Sequence, residues 1–137
     1  MIRALLTLTL IGSIHAGDDC FGIPDWILPG ILSVETKSRY ASDGSIIFVD
    51  RRRGRAGELG CAQITRRAFD AVAKPGESFS RLETDSAFCE ALAARYLISL
   101  KKRYGSWVNA IQAYNAGRPC PAGRRYLNRI YIVMGMN

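Results

Sequence analysis

Apolar residues recur every three or four positions in several parts of the chain, which is the spacing of one helix face. The first such stripe consists of Ile23, Ile27, Ile31 and Val34. It predicts a first helix over residues 24–38. Pro29 and Gly30 disturb the first half of this stretch, so we expect the regular helix to begin nearer Leu28.

The longest helical pattern covers residues 80–104. Its apolar stripe repeats every four residues and consists of Phe88, Leu92, Tyr96 and Leu100. Ser80 and Glu83 have the spacing of a capping box, and Gly105 follows the last helical residue. Shorter stretches with the same periodicity predict three further helices, at residues 66–73, 107–114 and 124–133.

Residues 40–60 have a different pattern. A run of β-branched and aromatic residues at 45–49 lies between two turn-forming segments, 42–44 and 51–57. We expect a small, irregular strand or hairpin there. The sequence therefore predicts a mainly α-helical domain with a small β-excursion between its first two helices.

The first residues of the chain do not fit that domain. Arg3 precedes an apolar run at residues 4–14, and Ala16 ends it. This is the outline of a signal peptide over residues 1–16, which leaves one domain over residues 17–137. An uncleaved membrane anchor is the alternative, but the run is well short of the roughly 20 residues that span a bilayer.

The net charge of the chain limits the kinds of binding partner that suit it. The chain of 137 residues has a formal net charge of +7. An exported basic protein suits an anionic polymer such as the cell wall, or an anionic membrane surface, whereas export makes nucleic acid an unsuitable partner. We assign no role to the densest basic stretch, Arg51–Arg55.

Cysteines are consistent with export. Four of them follow the proposed cleavage point, and they can pair into two disulfides in three ways: Cys20, Cys61, Cys89 and Cys120. His15 is the only histidine and lies in the proposed signal. Because no Cys or His ligands are grouped at short spacing, we expect neither a metal nor another cofactor.

Glu35 is the first candidate for chemistry. It lies at the edge of the apolar stripe, near the carboxyl end of the first helix. Burial and the nearby carbonyl groups would both raise the pKa of its side chain. A raised pKa is what a general acid needs near neutral pH. The alternative is an ordinary surface glutamate at a helix end.

Two further segments carry polar groups that suit a sugar ligand. In residues 57–64, paired glycines allow close backbone approach, and Gln63 can both donate to and accept from hydroxyl groups. In residues 113–117, Tyr114 offers a flat face and a hydroxyl, and Asn115 a two-sided amide. Taken singly, the first segment is also a common kind of turn, and the second a helix cap that includes a core tyrosine.

Together, residues 31–38, 60–64 and 107–117 resemble, in order and spacing, the soluble, goose-lysozyme-like (SLT) lytic transglycosylases. That family has Glu-Ser at the end of its first long helix, then Gly-Leu-Met-Gln, then Ala-Tyr-Asn-Ala-Gly. The last motif is intact here, and the resemblance covers roughly residues 20–126. Thr36 replaces the serine, and Cys61-Ala62 replaces Leu-Met.

The resemblance implies a lysozyme-like α+β fold and an activity on peptidoglycan. Glu35 would protonate the glycosidic oxygen between N-acetylmuramic acid (MurNAc) and N-acetylglucosamine (GlcNAc). It would then act as the base while the muramoyl 6-hydroxyl closes onto C1, which gives a 1,6-anhydro product. Thr36, Gln63, Tyr114 and Asn115 would bind and orient the sugar.

The chain is most similar to small family members that accompany conjugation, secretion or pilus machineries. This implies a periplasmic or wall-associated monomer whose partner is the glycan strand. In such members a cysteine pair resembles Cys20–Cys89, so we expect that disulfide, and Cys61–Cys120 for the remaining two.

Two alternatives remain open. A hydrolytic lysozyme of the same fold would use Asp43 or Asp50 to hold a water on the opposite face of the sugar. A catalytically silent wall-binding or assembly protein would keep the fold without the reaction.

Overall fold

A computed structural model describes residues 22–136. The proposed signal peptide and Cys20 lie outside the described residues. In chain order the elements are α1 (Ile27–Thr36), β1 (Arg39–Tyr40), β2 (Ile46–Ile47), α2 (Arg66–Val72), α3 (Arg81–Thr84), α4 (Ser86–Tyr104), α5 (Trp107–Ala116) and α6 (Pro121–Val133). The prediction of a mainly helical domain with a small β-excursion between its first two helices is confirmed.

The β-excursion is a two-stranded antiparallel hairpin. Arg39 lies opposite Ile47, and Tyr40 opposite Ile46. The carboxylate of Asp43 accepts hydrogen bonds from the backbone N–H of Ser45 at 2.9 Å and from its hydroxyl at 2.6 Å. Asp43 thus stabilises the hairpin turn through its own side chain.

The longest helix begins later than the sequence pattern predicts. Ser80 makes no capping hydrogen bond with its side chain, and α3 is a separate single turn. Asp85 then adopts an extended backbone, and its carboxylate accepts a hydrogen bond from the N–H of Phe88 at 3.0 Å. Asp85 therefore caps the long helix in place of Ser80, and α4 begins at Ser86. Gly105 ends α4 in the left-handed conformation, as expected.

Helix α1 begins near Leu28, as expected, but ends at Thr36 rather than Ser38. The boundaries of α5 and α6 also differ from the prediction. Helix α5 continues through Asn115 to Ala116 before Gly117 ends it, at a φ of 82°. Helix α6 begins at Pro121 rather than at Arg124. Proline needs no N–H partner in a first turn, so it is compatible with a helix start.

Helix α4 packs against α1, α2, α3 and α5, while α6 packs against α5 and α1. The largest aliphatic side chains that are fully buried in this core are Ile27, Ile31, Leu32, Ile64, Leu82, Leu92, Leu97, Ile111 and Ile130. Helices α1 and α6 pack closely at Gly30, where a Cβ atom would overlap the side chain of Ile130. None of the helices in residues 22–136 is long and apolar enough to cross a membrane.

Candidate active site

A cleft of about 230 Å³ opens at the carboxyl end of α1. Its walls come from the end of that helix, from the segment after β2 and from the turn before α2. The lining residues are Glu35, Thr36, Asp50, Arg52, Arg53, Gly54, Arg55 and Gln63. Three of the predicted site residues therefore meet in one cleft.

Glu35 is half-buried in this cleft. The hydroxyl of Tyr126 donates a hydrogen bond to its Oε1 at 2.8 Å. Burial raises the pKa of the Glu35 carboxyl above its ordinary value, and the negative charge of Glu58 adds to that effect. The Tyr126 hydrogen bond and the charge of Arg129 oppose the increase in pKa without cancelling it.

Tyr126 is a site residue that the sequence did not reveal. It comes from α6 and is only 3% exposed. Burial, and secondly the charge of Glu35, raise the pKa of its phenol well above the ordinary value, so it keeps its proton and acts as a donor. Its neighbours in the sequence give no sign of a site, and only the packing of α6 on α1 places it beside Glu35.

Asp50 is the second carboxylate of the cleft. The Arg52 Nε donates to both of its carboxylate oxygens at 2.8 Å. These hydrogen bonds hold the pKa of the Asp50 carboxyl below its usual range. Of the two carboxylates left open by the sequence, Asp50 lines the cleft, while Asp43 belongs to the hairpin turn.

Thr36 is buried and uses its hydroxyl within the protein. Its Oγ1 donates to the carbonyl oxygen of Cys61 at 2.7 Å and lies 2.6 Å from the hydroxyl of Ser38. The hydroxyl therefore fixes the end of α1 to the segment 60–63.

Gln63 lines the cleft with an unusual backbone, since its φ is 49°. A non-glycine residue in this region costs conformational energy, and such residues are concentrated at functional sites. Its Nε2 donates to the carbonyl oxygens of Arg52 and Gly60, both at 3.1 Å. The amide of Gln63 therefore joins the two walls of the cleft.

The comparison with known families is consistent with this geometry. Residues 37–129 match the model of the transglycosylase SLT domain. The chain belongs to the SLT transglycosylase family. The matched part begins just after Glu35 and Thr36, and it includes Gln63, Tyr114 and Tyr126. Searches of curated proteins and of solved structures return no match.

Membership in the SLT family indicates an enzyme that acts on peptidoglycan as a transglycosylase, and hence one that works outside the cytoplasm. In this SLT domain, Tyr114 lies outside the cleft lining and supports the segment that forms one wall of the cleft. Its hydroxyl donates to the carbonyl oxygen of Ala62 at 2.7 Å, and burial raises the pKa of its phenol well above the ordinary value. Asn115 is exposed and lies outside the cleft lining.

The disulfide predicted between Cys61 and Cys120 is not present, because both residues are free thiols. The segment 60–63 of the SLT domain packs against the start of α4 instead. There the Cys61 thiol donates to the carbonyl oxygen of Ser86 at 3.7 Å, and the N–H of Ala62 donates to the Cys89 sulfur at 3.4 Å. Hydrogen bonding to the Cys89 thiol, and then burial, raise the pKa of Cys61.

Cys89 is also a free thiol, and its predicted partner Cys20 lies outside the described residues. Within residues 22–136, no three His, Cys, Asp or Glu side chains are grouped so that they could hold a metal ion.

Proposed function

We propose that this SLT domain is a lytic transglycosylase in which Glu35 alone serves as general acid and then as general base. The observation that carries the proposal is the state of the Glu35 carboxyl, which opens onto the cleft with a raised pKa. A carboxyl group with a raised pKa still holds its proton near neutral pH, so it can donate that proton to a leaving group.

In the first step, Glu35 donates its proton to the glycosidic oxygen between MurNAc and GlcNAc. The bond from C1 to that oxygen breaks, and GlcNAc leaves with a free 4-hydroxyl. In the second step, the muramoyl 6-hydroxyl forms a bond to C1 and gives its proton to the Glu35 carboxylate. The attacking hydroxyl belongs to the substrate, so the reaction needs neither a positioned water nor a second carboxylate.

The hydrogen bond from Tyr126 supports this assignment. It engages Oε1 of Glu35 at 2.8 Å, which leaves Oε2 to carry the transferable proton. Around the carboxyl, Thr36 and Tyr114 hold the backbone of segment 60–63 through Cys61 and Ala62. These contacts make the end of α1 and the opposite wall of the cleft one rigid unit. We infer that Tyr114 and Thr36 position the cleft wall that binds the sugar, and that Gln63 faces the sugar directly.

Hydrolysis is the second candidate, because Asp50 lines the same cleft. A base that activates water near neutral pH needs a pKa near that pH. Arg52 instead lowers the pKa of Asp50 and engages both of its oxygens. Asp50 is therefore a weak base, which favours transglycosylation.

Product analysis separates the two reactions. Digestion of purified peptidoglycan in oxygen-18 water, followed by mass spectrometry, should release muropeptides that end in unlabelled 1,6-anhydro-MurNAc. Labelled reducing ends would instead mean a hydrolase in which Asp50 positions the water.

Substitution Glu35→Gln should lower cleavage by about 10²–10⁴-fold, since glutamine keeps the shape but has no proton to transfer. Asp50→Asn is the matched control, and it should retain most of the activity of a transglycosylase. Release of muropeptides gives the rates, and thermal unfolding checks that both variants are folded. Undiminished cleavage by Glu35→Gln would place the acid elsewhere, and no cleavage by the unsubstituted protein would favour a silent wall-binding role.

We further propose that residues 1–16 direct export and that residues 17–137 form the mature enzyme in the periplasm or at the cell wall. A role beside a conjugation, secretion or pilus machinery follows from the resemblance to small family members.

A further inference from the structure

The basic loop at residues 51–55 is held firmly against the cleft. The N–H of Gly54 donates to the carbonyl oxygen of Glu58 at 3.0 Å, and the Gln63 amide holds the carbonyl oxygen of Arg52 at 3.1 Å. A Cβ atom at Gly54 would overlap the side chains of Glu58 and Gln63. These contacts position the loop without using its arginine side chains.

Positive charge exceeds negative charge along this wall. Arg52 forms a salt bridge with Asp50 at 2.6 Å, and Arg53 forms one with Glu83 at 3.1 Å. Arg55 is exposed and forms no salt bridge within the described residues, although it also lines the cleft. With Glu35 protonated, the cleft has an excess of cationic groups.

The arginines of the loop are not the groups that set the pKa of Glu35. The charged groups that shift the pKa of Glu35 are Arg129 and Glu58, which lie outside the cleft lining. Arg51, by contrast, stacks over the ring of Phe48 at 4.5 Å.

Arg53 engages Glu83 through its Nε at 3.2 Å and one terminal nitrogen at 3.1 Å, which occupies one edge of its guanidinium group and leaves the other edge for a ligand. Arg55 has no such partner within the described residues. A guanidinium group binds a carboxylate through two parallel hydrogen bonds.

We propose that Arg53 and Arg55 form a carboxylate-binding subsite, which selects glycan strands with a free carboxylate beside the bond to be cleaved. The inference rests on the proposed function, since it takes peptidoglycan as the ligand of the Glu35 cleft. Two groups of that polymer carry this chemistry. One is the set of carboxylates on the stem peptide, and the other is the lactyl carboxylate of a MurNAc whose peptide has been removed.

Binding by the full-length Glu35→Gln protein tests the subsite without turnover. The probes are MurNAc–GlcNAc tetrasaccharides in two matched pairs, measured by calorimetry. One pair has stem peptides with free or amidated carboxylates, and the other has lactyl groups as free carboxylate or methyl amide. Adding Arg53→Gln and Arg55→Gln should weaken binding of a free-carboxylate probe about three- to tenfold and leave its amide partner unchanged.

Two control variants separate the subsite from general effects. Glu83→Gln removes the salt bridge of Arg53 while it keeps the arginine, so it should not weaken binding. Arg67→Gln with Lys102→Gln removes two exposed positive charges outside the cleft lining and should also leave affinity unchanged. Higher salt should reduce the difference between the arginine variant and its parent.

If the arginine substitutions weaken binding only of the probe with free stem-peptide carboxylates, the stem peptide is the ligand of the subsite. If they weaken binding only of the probe with the free lactyl carboxylate, the lactyl group is the ligand. Equal affinity for the carboxylate and amide probes, or an equal loss on both, would overturn the subsite. Failure of the proposed function is distinguishable, because it appears in the products of the unsubstituted protein and not in these affinities.

Discussion

Burial and the Tyr126 hydroxyl act in opposite directions on the Glu35 carboxyl. Burial favours the neutral acid, which is the form that donates a proton. The hydrogen bond favours the carboxylate, which is the form that later accepts one. The role proposed for Glu35 requires both forms in one turnover, so a moderate balance between these effects suits that role better than either effect alone.

Tyr126→Phe should therefore change both rate and pH dependence. Loss of the orienting hydrogen bond should lower kcat by about tenfold. It also removes an influence that lowers the pKa of Glu35, so the acid stays protonated to higher pH. The decline of kcat/KM on the alkaline side should move to higher pH, as a pH–rate profile would show.

Tyr104→Phe is a suitable control, because the Tyr104 hydroxyl also donates to a carbonyl oxygen, that of Gly117 at 3.1 Å, but lies outside the cleft lining. It should leave the pH profile in place. An unchanged profile for Tyr126→Phe would mean that Tyr126 only fills space.

The raised pKa of Glu35 also makes a prediction about stability. The folded protein binds this proton more tightly than the unfolded chain, whose carboxyl has a pKa near 4.5. The free energy of unfolding should thus decrease as pH rises from 4.5 to the raised pKa. Glu35→Gln lacks this penalty, so urea unfolding should show it gaining stability relative to the unsubstituted protein as the pH rises from 4.5 to the raised pKa. A constant difference across that range would contradict the raised pKa.

Among the helices, α4 depends on a single capping side chain. Asp85 accepts the hydrogen bond from Phe88 and also forms a salt bridge with Arg81 at 2.9 Å. Asp85→Ala should lower the free energy of unfolding by about 1 kcal/mol, as loss of an N-cap usually does. Urea denaturation measures this change.

Ser80→Ala provides the matched control for the cap. Its side chain makes no capping hydrogen bond, so the stability should change by less than about 0.5 kcal/mol. A larger cost at Ser80 than at Asp85 would favour the capping box that the sequence predicted.

Across the whole molecule, the three described thiols differ in accessibility. Cys61 and Cys89 are fully buried, whereas Cys120 is partly exposed. We expect a thiol reagent to modify Cys120 first in the native protein, and the other two only on unfolding. Timed labelling followed by peptide mapping measures this order. Rapid labelling of Cys61 would mean that segment 60–63 opens readily.

The features that could be predicted from the sequence are those that depend on residues close together in the chain. Helix periodicity and the left-handed glycines gave most element boundaries, and the position of Glu35 near the end of α1 indicated a carboxyl with a raised pKa. Contacts between distant segments were not predictable in this way. The restart of α4 depends on a choice between two caps, and the pairing of Cys61 with α4 rather than with Cys120 depends on how segment 60–63 packs.

Glu35 and Tyr126 are 91 positions apart in the chain, and they meet because α1 and α6 touch at Gly30. A nascent chain that ends before Tyr126 has the carboxyl but not the hydroxyl that orients it. Contacts of such long sequence separation carry a high entropic cost, so they form only together with the rest of the native core. The contact between the Glu35 carboxyl and the Tyr126 hydroxyl is consequently a property of the finished fold, and a chain without α6 has no such contact.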